Sequence, residues 1–162
     1  LCLFGPMDDY GLASPPPGRR LSFEDVFDVP LILPSKSHGL RELVEAKAAE
    51  HGLTPDTVID VDSYGNIKKL VELGVGFSIL PQHAVAQDVR EGRLRSWLLE
   101  RPGFSRPVYL AHPADRPMTN AVSVIHGLCL EMLHKIAASS DWQGARIINK
   151  DLVAEGQNGP SG

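Results

Sequence analysis

Cysteine is scarce in this 162-residue chain, and the two that occur, Cys2 and Cys129, both lie inside apolar runs. That usage suits reduced, buried thiols better than a disulfide framework, with one bridge between the two as the alternative. Neither has a Cys-x-x-Cys partner, and the six histidines fit no short ligand spacing such as His-Glu-x-x-His, so no metal site and no cofactor is expected. Positive charge is short as well. The formal net charge is -4 and the basic residues are scattered, whereas holding a nucleic-acid duplex needs clustered Lys and Arg on one face. Uninterrupted apolar runs of about 18 residues are also missing, since "AVSVIHGLCLEMLHKI" is cut by His126, Glu131 and His134, and no membrane partner is expected. Internal repeats are absent. The chain opens on Leu-Cys-Leu-Phe, without Met and without the charged and apolar regions of a signal peptide, which reads as a fragment of a longer protein.

What is present is globular: 43% hydrophobic and 22% charged residues, enough for one domain or two small lobes. "LCLFG" reads as a strand, "MDDYGLASPPPGRR" as a Pro-rich loop, and "SFEDV" as a helical turn with Ser22 as N-cap and Asp25 three residues on. A regular alternation follows. "LIL" is a strand, Gly39 to His51 a helix with Leu40, Leu43, Val44 and Ala48 on its apolar face, and "TVIDV" a strand. Asp62 or Ser63 caps a helix that Gly74 ends, and "GVGFSILP" is a strand apolar enough for burial on both faces. Pro81 stands at or near the start of a helix from Gln82 to about Val89, and "GRLRSWLL" is a further strand. This order predicts an α/β fold with a mixed, largely parallel sheet of strands near 31–33, 58–61, 76–80 and 94–98. Beyond it, "PVYLAH" reads as a strand and Thr119 to Ala138 as a long helix, while the tail from 139 to 162 loses periodicity and is expected to be partly disordered.

In an open parallel sheet, ligands bind outside the carboxyl ends of the strands. Three loops belong there: "PSKSHG", "DSYGN" and "PQH". They bring Ser35, Lys36, Ser37, His38, Gly39, Ser63, Tyr64, Gly65, Asn66, Pro81, Gln82 and His83 to one edge. Amides at a helix start, with Lys36 beside them, favour an anion, and Ser37 is expected to cap the helix or to face a ligand. The bland alternative is that Ser37 and Ser63 are helix caps and nothing more. A hydrolase reading would take Ser35 or Ser37 as nucleophile, His38 as base and Asp62 as orienter, but "GFSIL" fails as a Gly-x-Ser-x-Gly elbow and adjacent Ser and His rarely face each other. No enzyme is expected.

The segments "LILPSKSHGLRELVE", "VIDVDSYGNIKKLVELGVGFSILPQHAV", "EGRLRSWLLERPGFSRPVYLAH" and "RPMTNAVSVI" resemble the effector-binding domain of LysR-type transcriptional regulators, with the flavour of the nitrogen-assimilation-control-like subgroup. The resemblance runs from about Leu1 to Ile136. It implies a type 2 periplasmic-binding-protein-like fold with the second lobe complete and the first partial. Residues 1–29 would be partial first lobe and crossover loop, 30–99 the second effector-binding lobe, and 100–138 a return to the first lobe. Residues 35–39, 63–65 and Pro81 would line the second-lobe wall of a cleft for a polar or anionic small-molecule effector. The resemblance further implies a cytoplasmic homodimer or homotetramer that meets DNA only through an N-terminal winged helix-turn-helix outside this sequence. A solute-binding protein of a transport system, which shares the fold, is the alternative.

Overall fold

The computed structural model describes residues 1–101, 103–105, 107–139, 145 and 147. The chain forms two compact units, Leu1–Pro107 and Val108–Gly162. The first holds β1 (Cys2–Pro6), α1 (Phe23–Phe27), β2 (Leu31–Leu33), α2 (Gly39–Glu50), β3 (Thr57–Asp60), α3 (Tyr64–Glu72), β4 (Ser78–Leu80), α4 (Gln82–Arg90) and β5 (Leu94–Leu98). The second holds α5 (Asn120–Ala138).

Local chemistry accounts for the element ends. Ser22 and Asp25 form a reciprocal capping box at α1, each side chain taking the other's backbone N–H. Gly74 adopts φ +76° just beyond α3, a left-handed conformation that suits a residue without a β-carbon, and its N–H reaches the Val71 carbonyl. Thr119 caps α5 through the Val122 amide.

The sheet is mixed, as the sequence implies, but its strand order differs from a simple succession. β2 and β3 are parallel, with Leu33 opposite Asp60. A single parallel bridge, Leu31 to Phe77, joins β2 to β4 through Ile32 N–H to Phe77 O (2.7 Å) and Phe77 N–H to Pro30 O (2.8 Å). That approach needs Gly76, because a β-carbon there would stand 2.8 Å from the Pro30 carbonyl oxygen. β1 then lies between β4 and β5 and is antiparallel to both. The strand Leu1–Gly5, expected with the first lobe, is therefore the middle of the three-stranded sheet in the unit that contains residues 30–99. Its five residues are all buried, and burial on both faces accounts for their unbroken apolar character.

β4 is fully buried although it ends the order β4-β1-β5, its other side being joined to β2 only through the isolated bridge at Phe77. With it Phe4, Leu3, Phe77, Trp97, Ile32, Val44, Ile67 and Val71 form one continuous core. At roughly 1.5–3 kcal/mol for each large apolar side chain taken from water, this cluster is the dominant stabilising term. Cys2 belongs to it; burial pushes its thiol up to about 11, and both cysteines are free.

One expectation is corrected beyond the sheet. Pro107–His112 is not a strand: Val108, Tyr109 and Leu110 are exposed and pair with no strand among the described residues, and an extended segment without a ladder partner is not a β-strand. The helix α5 does form, and by length and composition alone it is long and apolar enough to cross a membrane, although His126, Glu131 and His134 interrupt its apolar run. Its Glu131–Lys135 ion pair and two histidines are costly inside hydrocarbon and suit an aqueous or protein surface better. The tail from 140 onward, apart from 145 and 147, lies outside the described residues.

Candidate functional site

The registers place the carboxyl ends of β2, β3 and β4 on one edge of the sheet, and the loops that follow them carry the residues singled out from the sequence. The first two loops are tied together. Ser35 donates its N–H to Asp62 Oδ1 at 2.9 Å, and this bond, with the Ser35 hydroxyl and nearby His38 adding to it, holds the Asp62 carboxyl below the usual aspartate range. Ser35 Oγ and Ser37 Oγ lie 3.3 Å apart.

Capping divides differently from expectation. His38, not Ser37, caps α2: its Nδ1 accepts the Leu40 N–H at 3.1 Å, where an imidazole nitrogen does the work usually done by a hydroxyl. Ser37 is thus released from the cap and exposed. Ser63, not Asp62, caps α3 by accepting the Asn66 N–H at 3.4 Å, which leaves Asp62 for Ser35. The His38 and Tyr64 rings come within 6.2 Å of each other, centroid to centroid, so the starts of α2 and α3 are neighbours. Gly39 faces open space, and the amides of Lys36, Ser37 and Gly39 bond to no group among the described residues.

Pro81 precedes α4 at the same edge and supplies no side-chain cap. α4 is tied to α3 by Lys68, whose Nζ reaches Asp88 Oδ2 at 2.7 Å and the Ala84 carbonyl at 3.3 Å. Burial pushes the Asp88 carboxyl up, but the bonds from Lys68 and Arg93 outweigh it and the net shift is downward.

Arg41 is the residue that sequence reasoning passed over. Its guanidinium, only 5% exposed, donates to Glu45 (2.6 Å), Asp60 (2.8 Å) and the Pro34 carbonyl (3.2 Å). Desolvation lowers its pKa, yet the two carboxylates outweigh that cost and the net shift is upward. A signal was available, because 41, 44 and 48 recur at helical spacing and so put an arginine on the buried stripe.

Chemically the edge offers donors: free amides, hydroxyls and an imidazole whose Nδ1 is already accepting, which leaves Nε2 as an N–H donor. It suits an acceptor-rich ligand. Because His38 Nδ1 is committed to a backbone amide, that nitrogen cannot take a proton from Ser35 or Ser37, and the hydrolase arrangement is not assembled. Among the described residues no group of three His, Cys, Asp or Glu side chains is placed to hold a metal ion. Two depressions lie elsewhere, near α1, lined in one case by Glu24, Asp25, Asp28 and Leu53 and in the other by Ser22, His51 and Glu100.

The LysR substrate binding domain family matches residues 2–134. The chain belongs to that family. It is 26% identical over 145 residues to the HTH-type transcriptional regulator BbuR of Bordetella bronchiseptica, covering 89% of this chain and 43% of that protein. It is 24% identical over 115 residues to a probable nitrogen assimilation transcriptional activator of Synechococcus elongatus, covering 71% of this chain and 37% of the relative. The chain thus spans less than half the length of these relatives. Among solved structures, the effector binding domain of QuiR in complex with shikimate aligns with TM-score 0.66 at 20% identity, over 83% of this chain and 61% of that one. The cofactor-binding domain of the Cbl transcriptional regulator aligns with TM-score 0.51 at 20% identity, over 85% and 61%. These likenesses show the periplasmic-binding-protein-like fold of LysR effector-binding domains.

Proposed function

We propose that this LysR substrate binding domain senses a small anionic or polar effector on the edge formed by residues 35–39, 63–65 and Pro81, and so controls DNA binding by a separate N-terminal helix-turn-helix. The observation that carries the reading is the convergence of two helix starts, α2 and α3, tied by Ser35 and Asp62, with the amides of Lys36, Ser37 and Gly39 unfilled. Unfilled amides at a helix start favour a carboxylate or phosphate by roughly 0.3–2 kcal/mol per contact. Residues 30–99 together with β1 make up the second lobe on this reading, and 100–138 belongs to the first.

The relatives are transcriptional regulators, which favours a regulatory role over transport and over catalysis. The bound shikimate of the QuiR domain, a small carboxylate, fits the donor character of the edge. A homodimer or homotetramer working in the cytoplasm completes the proposal, and sedimentation of the complete regulator checks the assembly.

The test uses the complete regulator and a panel of small carboxylates that includes shikimate. A ligand at a hundredfold excess over its Kd should stabilise the protein by about 2.7 kcal/mol. Ser37→Ala should diminish that stabilisation and leave operator binding without ligand unchanged. If every carboxylate that stabilises the wild type stabilises Ser37→Ala equally, Ser37 does not face the effector.

A further inference from the structure

We propose that Arg41 is a positioning residue that sets the spacing of the two loops forming the effector edge, a role that rests on the reading above. Two successive rungs join these loops. The outer rung is direct, Ser35 N–H to Asp62 Oδ1. The inner rung passes through Arg41, whose Nη1 bridges the Pro34 carbonyl, one residue before Ser35, and Asp60, two residues before Asp62. Nε is held by Glu45 one turn along α2, so the guanidinium is fixed in its plane and cannot follow the loops if they part.

The guanidinium carries costs that an apolar side chain at this position would not. Arg41 sits in the first turn of α2, where the helix dipole opposes a cation, and its charge is withdrawn from water. An apolar residue on the same stripe as Val44 and Ala48 would avoid both costs. What the guanidinium supplies and an apolar side chain cannot is a fixed span between the ends of β2 and β3. That span decides whether the amides of Ser37 and Gly39 face the start of α3 at a distance one small ligand can bridge.

The test needs no effector. In the 162-residue chain, the titration of the Asp62 carboxyl and the hydrogen exchange of the Ser35 amide are followed by NMR. With Arg41→Met the outer rung should loosen: Asp62 should titrate at a higher pH than in wild type, and Ser35 should exchange roughly tenfold faster or more, the scale of one lost charge-assisted bond. Arg41→Lys, which can bridge Pro34 and Asp60 but lacks the fork to Glu45, should fall between. Val44→Ala, a buried change on the same helix that touches neither rung, should lower stability without moving either reading. If Arg41→Met does not fold, Asp60→Asn removes the same tie from its exposed end and is judged by the same two readings. Wild-type values of both in a folded Arg41→Met chain, or equal changes in Val44→Ala, would overturn the role. Titration with inorganic phosphate separates this from the functional reading. No shift at Ser37 or Gly39 in wild type counts against the anion edge, whereas a wild-type shift retained in full by Arg41→Met counts against Arg41.

Discussion

Asp62 and Ser35 stand 27 positions apart in the chain, yet the carboxylate of one takes the backbone N–H of the other at 2.9 Å, and that bond closes the two loops beyond β2 and β3 into a single edge. Everything proposed for the site depends on this closure.

The tie should be sensitive to acid. The folded-state pKa of Asp62 is depressed, so its contribution is fully present above the ordinary aspartate value and is lost as pH falls through the lower, folded value. The Ser35 amide resonance should therefore be constant from neutral pH down past the ordinary aspartate range and move only below it, in step with the Asp62 carboxyl. Independent midpoints for the two would show that they are not bonded in solution.

His38 carries a cap that an imidazole can share with an amide. His38→Ala should destabilise the chain by about 1 kcal/mol, the usual scale for a lost N-cap, while His38→Asn should retain most of it. Urea denaturation of the three proteins gives the comparison, and equal stability of wild type and alanine variant would mean that Leu40 N–H has no dependence on the ring.

The interior place of β1 makes Gly5 intolerant of a side chain. A β-carbon there would lie 2.4 Å from the Phe77 ring and 3.2 Å from Trp97, so Gly5→Ala should cost about 1–3 kcal/mol through overpacking. Thermal or urea melts that leave Gly5→Ala as stable as wild type would contradict the antiparallel insertion between β4 and β5.

Much of this arrangement is legible in the sequence, because it is local. The capping box of Ser22 and Asp25, the glycine after α3, and the alternation from β2 to β5 all follow from neighbours within a few residues. Strand order is not local. Nothing near Cys2–Pro6 tells it to pair antiparallel with segments almost 80 and 100 residues away, and an apolar run such as Val108–Leu110 looks the same whether or not a partner strand exists. At the candidate site, residue types pointed to these loops but misassigned one cap, since Ser37 is by type the better N-cap and the structure uses His38. Arg41 went unread because charge on a helix is expected to face water; only its spacing with Val44 and Ala48 marked it as buried.

The most direct test of the anion edge is an amide map of the 162-residue chain titrated with small carboxylates, shikimate among them. The account predicts shifts concentrated at Ser37, Gly39, Tyr64 and Gly65, stronger for carboxylates than for their neutral amides. Shifts confined to the depressions near α1, around Glu24 and Asp28, or equal responses to charged and neutral compounds, would contradict it.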